Sequence, residues 1–496
     1  MLSAFAAGAI SVAAFSVPQY FALAPAALAL LYYLWQRADS PRRAAALGFA
    51  FGLGHFGTGV SWIYVSLHEF GMMPAPLAAA ATLAFCCYLA LFPALVGSLQ
   101  ARIGASPPLR FLVLVPALWT LAEWLRSWLL TGFPWLSVGY SQIDTPLAGF
   151  APIAGMFGVS FATCLLSGLA LLVLGAGRAR VPAVAAIVLL VAAGQGLRAI
   201  EWTRPVAEPV RVALVQGNIP QSLKFDPRRY AVTLDTYRRL VLASDAQLVV
   251  LPETAIPRFL DAVDPRYLAE LAHHAGSRGA DILLGVPLRE PGGRMTNGVV
   301  TLGASPPQRY SKVHLVPLGE FVPPEFGWIV SVLRIPLADF DSGSDLQQPL
   351  EAGGARVAVN ICYEDAFGEE IIRQLPKATL LVNVSNVAWF GDSLAPAQHL
   401  QISRMRALET GRAMLRATNT GVTAIIDQRG TVIGRLPGFA EGVLTGAVQQ
   451  FTGATPYVRL GNVPALATAA LLVLWIVCLS FWRGIGRRVS ARVESR

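Results

Sequence analysis

The feature that most restricts this chain is a series of apolar runs too long for the core of a water-soluble domain. Windows near residues 4–17, 19–36, 45–67, 76–99, 109–130, 152–174, 181–198 and 463–482 are almost free of charge. A hydrocarbon core about 30 Å thick is crossed by about 20 helical residues. Lipid cannot satisfy exposed backbone groups, so such runs must close their own hydrogen bonds as helices. About eight spans are expected on that length criterion, the first of them short.

Composition sharpens the division. Of 496 residues 54% are hydrophobic and 14% charged, which excludes an ordinary soluble protein, yet the apolar excess is confined to parts of the chain. Residues 1–200 read as a transmembrane helical bundle of about seven spans. Residues 205–455 have the mixed polarity and length of a domain that buries its own core. A last span at 463–482 and a basic tail at 483–496 complete the expected order.

The formal charge of +9 could suggest nucleic acid, but a basic stripe interleaved with aromatics is missing, so no nucleic-acid partner is expected. The arginines instead flank apolar segments. Arg37, Arg42 and Arg43 follow the second window, Arg102 and Arg110 the fourth, Arg178 and Arg180 the sixth, and Arg483, Arg487, Arg488, Arg492 and Arg496 the last. Arg126, Arg198 and Arg204 fall outside this pattern. The bias of arginine toward the cytoplasm places both termini inside and the 205–455 domain on the extracytoplasmic face. The first apolar window lacks a basic leader and is followed at once by further spans, so it reads as a retained helix. The stretch from Trp124 to Pro152, with Phe133, Pro134, Trp135 and Tyr140, is poor material for one straight helix. It suits the membrane interface, as an aromatic belt or as a lid.

Within the water-exposed part, short β-branched runs recur at Val210–Gln216, Leu248–Leu251, Ile282–Val286, Val299–Leu302, Val357–Cys362, Leu380–Val384 and Val422–Ile426. Helical spacers are expected at 227–244, 265–278 and 396–416. This alternation predicts an α/β domain with largely buried strands.

Three polar residues are candidates for chemistry, two of them where such strands end. Cys86, Cys87, Cys164 and Cys478 lie in apolar spans, where a thiol is by default a small hydrophobe. Cys362 alone belongs to the water-exposed domain, so no structural disulfide can form within it. It follows the run Val357–Ile361, a rigid position with a turn beyond that suits a reactive thiol, although many strand-end cysteines are inert. Glu253 in Leu251-Pro252-Glu253-Thr254 also follows an apolar run, where partial desolvation favours a proton acceptor; a solvated or capping glutamate is the plainer reading. Lys312 could stabilise a thiolate or an oxyanion, or merely solubilise a strand face. His273 and His274 are adjacent on a helix, and His314 and His399 stand alone; none has metal-ligand spacing, so no metal is expected. Asn383, Ser385 and Asn386, with Trp389 and Phe390 beyond, could line a site from a strand end.

Taken in chain order, Glu253, Lys312 and Cys362 resemble the Glu–Lys–Cys triad of the nitrilase superfamily. A domain of that kind set after several spans and before a last one resembles, over essentially the whole chain, the apolipoprotein N-acyltransferase family of bacterial envelopes. The strings that carry the resemblance are Val215-Gln216-Gly217-Asn218-Ile219-Pro220-Gln221, Leu251-Pro252-Glu253-Thr254, Lys312-Val313-His314-Leu315-Val316-Pro317-Leu318-Gly319-Glu320-Phe321-Val322-Pro323 and Ile361-Cys362-Tyr363-Glu364.

The resemblance implies a multi-span membrane bundle joined to a nitrilase-like α-β-β-α sandwich, in a monomer of the bacterial inner membrane. It implies a cofactor-free, ping-pong transfer of a fatty acyl chain. Cys362 takes the chain from a phospholipid as a thioester, and the N-terminal amine of a diacylglyceryl apolipoprotein receives it. Glu253 moves the proton and Lys312 holds the oxyanion. Glu320, Tyr363 and Glu364 match functionally sensitive positions of the family, and Phe225 stands where some members carry tryptophan. A tethered amidase would share the triad but would need only one anchor. A transporter with a decayed domain would be expected to have lost a triad residue or to show polar residues along a membrane pathway.

Overall fold

A computed structural model describes residues 1–175, 177–322 and 339–494, with side chains of the last helix described as far as Trp482. Pro323, which closes the third family-like string, and the side chains of the tail arginines lie outside the described residues. The chain forms two compact units. One comprises Met1–Ser61, Ala80–Ile200 and Leu460–Arg496; the other comprises Trp62–Ala79 and Glu201–Arg459.

In the first unit every apolar window folds as helix. Among the described residues, Ala75–Ile103, Pro107–Arg126, Pro146–Leu174, Arg180–Arg198 and Val463–Trp482 are long and apolar enough to cross a membrane. Three expected spans fall short of that standard. Leu2–Phe15 and Leu23–Gln36 are too short, and Pro41–Gly59 is diluted by Gly48, Gly52, Gly54, His55, Gly57 and Gly59. The glycines serve packing. A Cβ on Gly54 would lie 2.0 Å from the Phe5 carbonyl oxygen, and one on Gly48 2.3 Å from that of Pro93. Neighbouring helices therefore meet backbone to backbone, the contact that substitutes for a hydrophobic drive inside lipid.

Two expectations need correction here. The 45–67 window is not one span, because its helix ends at Gly59 and Trp62 begins a segment of the other unit. Only a part of the Trp124–Pro152 stretch fits an aromatic belt: Trp128, Leu129 and Leu130 are exposed, whereas Trp135, Leu136, Val138, Tyr140 and Ile143 are buried. Polar groups on the preceding helix hold the buried part there. Arg126 donates to the carbonyl oxygens of Phe133 and Trp135 and to Ser137 Oγ, while Glu123 Oε1 accepts from the Val138 amide and the Trp119 indole. Buried non-helical backbone needs such partners at this depth.

The second unit is a sandwich of two mixed six-stranded sheets. Its strands are β1 (Thr203–Gln216), β2 (Leu248–Val250), β3 (Asp281–Arg289), β4 (Met295–Gly303), β5 (Arg309–Ser311), β6 (Leu350–Ala352), β7 (Ala355–Ile361), β8 (Leu380–Ser385), β9 (Met414–Thr418), β10 (Ala424–Ile426), β11 (Val432–Arg435) and β12 (Gly442–Gly453). The orders are β12-β1-β2-β3-β4-β5 and β11-β10-β9-β8-β7-β6. Central neighbours run parallel, β1 with β2 with β3 and β7 with β8 with β9, and antiparallel strands complete each sheet.

Alternation along the strands builds three cores. Val212 and Leu214, with Val357, Val359 and Ile361 opposite, pack between the sheets. Ala213 and Val215 point the other way, into a layer with helices Tyr230–Leu242 and Pro265–Gly276. Ala358 and Leu381 likewise meet helix Ala395–Thr410 on the far side. Central strands buried on both faces explain why the sequence shows continuous apolar runs instead of polar alternation. The helix expected at 396–416 stops at Thr410, where Gly411 takes φ +62° and ends it, and β9 follows. Left-handed backbone of that kind is the usual glycine-borne helix stop. Strands β5, β6, β9, β11 and β12 escaped prediction: β5, β6 and β11 are short, β9 lies where helix was expected, and β12 carries no continuous apolar run, Thr445 and Gly446 following Val443 and Leu444.

Candidate active site

Two of the triad candidates follow central parallel strands, Glu253 after β2 and Cys362 after β7, and the third, Lys312, follows the antiparallel edge strand β5. Glu253 lies three residues beyond β2, in a segment pinned by Leu251 N–H to Leu283 O and Ala255 N–H to Gly285 O, both 2.9 Å. Gly285 permits this: a Cβ there would sit 2.2 Å from the Pro252 oxygen. Lys312 follows β5, its amide donating to Asn297 O at 2.8 Å. Cys362 follows β7 at φ +53°, in a region that costs a non-glycine residue of order 1 kcal/mol or more. That turn takes the residue out of the ladder and leaves it half-buried, where Glu253 and Lys312 act electrostatically on its thiol.

Lys312 is 1% exposed and its Nζ stands 2.7 Å from Glu320 Oε2 and 3.5 Å from Glu253 Oε1. Burial by itself would drive the ammonium to lose its proton, but Glu320 and Glu253 outweigh that and hold it above the ordinary lysine range. The cation is permanent. Asn297 Nδ2 bridges the two carboxylates, donating to Glu253 Oε1 at 2.8 Å and Glu320 Oε1 at 2.9 Å. Glu320 Oε2 also accepts from the Val316 amide, and Glu253 Oε2 from the Asn386 amide at 2.8 Å. Every oxygen of the pair thus has a partner, and the base is fixed in orientation.

Cys362 titrates against this cluster. Burial pushes its thiol well above the usual range, Glu253 and Glu320 push further, and Lys312 with the Asn386 amide pull back. The sulfur therefore rests protonated beside a carboxylate able to take its proton. Behind it, Asn383 Nδ2 donates to Cys362 O at 3.1 Å, and Asn383 Oδ1 accepts from Arg416 at 2.7 Å and from Ser385 Oγ at 2.7 Å. Asp365, buried completely, accepts from His399 at 2.7 Å and from Ser403 Oγ at 2.5 Å.

Glu364 is a clamp. Its Oε1 accepts from the amides of Val313 (2.6 Å) and His314 (3.2 Å), its Oε2 from that of Ile361 (2.6 Å), and Tyr310 OH donates to both oxygens. One carboxyl group thereby ties the residue after Lys312 to the residue before Cys362. Tyr363 packs edge-on against Phe367 and His314, and His314 Nδ1 meets Glu370 at 2.9 Å. Phe225 stands apart from this ion-paired cluster, half-buried directly after Lys224.

The structure thus gathers Glu253, Lys312, Glu320 and Cys362, with Glu364 as tether, and adds Asn297 and the amide of Asn386. Asn386 was among the strand-end residues singled out from sequence. Asn297 was missed because the run Val299–Leu302 seemed to start after it, whereas β4 begins at Met295. His399 and His314 serve hydrogen bonds in the domain, and among the described residues no group of three or more His, Cys, Asp and Glu could hold a metal ion.

A family model described as "Apolipoprotein N-acyltransferase N-terminal domain" matches residues 7–169, and one described as "Carbon-nitrogen hydrolase" matches residues 211–457. An apolipoprotein N-acyltransferase of Nitrosomonas europaea is 51% identical over 479 residues, 96% of each chain. A second, from Methylococcus capsulatus, is 47% identical over 95% of each. Among solved structures, a nitrilase-superfamily amidase from Nesterenkonia aligns with 51% of this chain and 95% of its own at 21% identity and a TM-score of 0.38.

Proposed function

Because this chain belongs to the apolipoprotein N-acyltransferase family, we propose that Cys362 carries a fatty acyl chain from a phospholipid to a lipoprotein's N-terminus as a thioester. The carbon-nitrogen hydrolase domain at 211–457 supplies the chemistry. The observation that carries this reading is the buried Lys312 held between the carboxylates of Glu253 and Glu320, a cluster that acts electrostatically on the Cys362 thiol.

In the first half-reaction Cys362 Sγ attacks the ester carbonyl of the phospholipid while Glu253 takes the thiol proton. Negative charge collects on the carbonyl oxygen, and the Lys312 ammonium stabilises it. The C–O bond then breaks, Glu253 returns the proton to the departing lysophospholipid hydroxyl, and the thioester remains. In the second half the free α-amine of a diacylglyceryl-cysteine attacks the thioester. Its proton passes to Glu253 and on to the departing thiolate, giving an amide and a regenerated thiol. Both halves balance without any cofactor.

The arginine distribution supports a catalytic domain on the periplasmic face of the inner membrane with both termini cytoplasmic; the acylation cycle as written needs one copy of the chain. Intact-mass spectrometry of enzyme incubated with phospholipid tests the chemistry: an acyl mass on the peptide containing Cys362 is expected, absent in Cys362→Ala and in Cys362→Ser. Acyl transfer undiminished in either variant, or an adduct on another residue, would overturn the proposal.

A further inference from the structure

The ion-paired cluster around the thiol carries an imbalance. At rest Glu253 and Glu320 set two negative charges against the single positive charge of Lys312; once Glu253 has taken the thiol proton, Glu320 and Lys312 cancel and the new anion on sulfur or on the acyl oxygen is left without a cation of its own. A second lysine, used by no step above, stands beside this cluster. Lys224 ends the short helix Gln221–Lys224 and is 2% exposed. Its Nζ donates to the backbone oxygen of Glu253 at 3.1 Å. A lysine so deeply buried is rare unless something holds its charge.

Its helix is anchored to the same groups. Gln221 Oε1 accepts from Asn386 Nδ2 at 2.9 Å, and Asn386 is the residue whose amide serves Glu253 Oε2. Upstream, Ile219 N–H donates to Asn419 Oδ1 at 2.9 Å, and Asn419 Nδ2 to Asn386 Oδ1 at 3.2 Å. The Glu253 peptide it grips leads straight into Thr254 at φ +48°, a strained position that persists only when its surroundings dictate it.

We propose that Lys224 is a second, positioning ammonium of this active site: it fixes the Glu253 backbone and neutralises the charge that builds on Cys362 and on the acyl oxygen. This rests on the reading that Cys362 is the acylated nucleophile. With Lys224 charged, two carboxylates face two ammoniums at rest, and once the thiol proton sits on Glu253 the two ammoniums face Glu320 and the anion on sulfur or on the acyl oxygen.

The groups that act electrostatically on Lys224 are Glu253, after β2, and Cys362, after β7. Burial lowers its ammonium to about 8, with both of these opposing the fall. The charge is therefore present at neutral pH and is lost as pH climbs through that value, whereas Lys312 stays charged throughout.

The test measures the initial rate of acyl-adduct formation on Cys362 in full-length, detergent-solubilised enzyme with phospholipid vesicles, from pH 6.5 to 9.5. Lys224→Met is expected to be about tenfold slower at pH 6.5, the size of one lost electrostatic contact, and the gap should close toward unity by pH 9.5. A gap constant across that range marks a purely structural role and overturns the proposal; so does wild-type behaviour. Lys224→Arg, which cannot lose its proton there, should keep its rate at pH 9.5 where wild type declines. A decline in parallel with wild type, or loss at every pH, also counts against it. Absence of the adduct in the wild-type enzyme would instead reject the thioester reading itself.

Discussion

At the scale of single residues, Glu364 shows how much can depend on one carboxyl group away from the reacting atoms. Burial raises it to about 7, opposed by Lys312 and by the Ile361 and Val313 amides, with Glu370 adding to the rise. Its folded-state value lies above that of an unfolded chain, so folding favours the protonated form. That contribution is complete below the ordinary carboxylate range and disappears as pH climbs through about 7. The melting temperature of the solubilised protein should accordingly fall between pH 5 and pH 8. Glu364→Gln should flatten that slope while lowering stability by about 1–3 kcal/mol, because the amide turns N–H groups toward backbone donors. Equal slopes in the two proteins would remove Glu364 as the cause. Glu253 and Cys362 were legible in the sequence because each follows an apolar run, and Lys312 because the three recur in a known order. Asn297 and Lys224 were not, since a lone asparagine in a strand and a lysine in a short polar helix carry no local mark. Only the folded chain shows that one bridges two carboxylates and the other is buried beside them.

At the scale of elements, the loop after β8 deserves a test because it links distant parts of the sequence. Its amide at Asn386 orients Glu253, and the turn Val387–Phe390 that follows is gripped by residues from far upstream. Trp62 packs on Phe390 with ring centroids 4.4 Å apart and donates to Gln398 Oε1 at 3.2 Å, while Phe70 meets Trp389 edge-on at 6.0 Å. Trp62→Ala should lower the rate of Cys362 acylation about tenfold, since small displacements of a catalytic group are costly, and Trp62→Phe should recover most of it through the ring contact. Full activity in Trp62→Ala would show that the loop holds its shape unaided. The sequence hinted at this loop but not at its clasp, because apolar periodicity assigned Trp62 to a membrane span. What sets it apart is tertiary: Trp62 and Phe70 meet the rings of Phe390 and Trp389.

At the scale of the whole molecule, the arginine pattern is tested by labelling. In a Cys362→Ser background, Glu208→Cys should react with a membrane-impermeant maleimide in intact spheroplasts, and Ser490→Cys only after permeabilisation; the reverse pattern would invert the proposed orientation. The broad division into an apolar part and a mixed-polarity part was readable from hydropathy, but its boundary was not, because contact and not composition draws Trp62–Ala79 into the second unit. That membership has a consequence for how the protein is made. The aromatic clasp leaves the ribosome roughly 300 residues before the loop it must grip, an interval of about 15–60 s at ordinary elongation rates. During that time Phe390 and Trp389, the rings that Trp62 and Phe70 meet, have not yet been made, so the catalytic unit cannot finish folding segment by segment as it is synthesised. A gene fragment beginning at residue 201 would omit one half of that clasp from the outset.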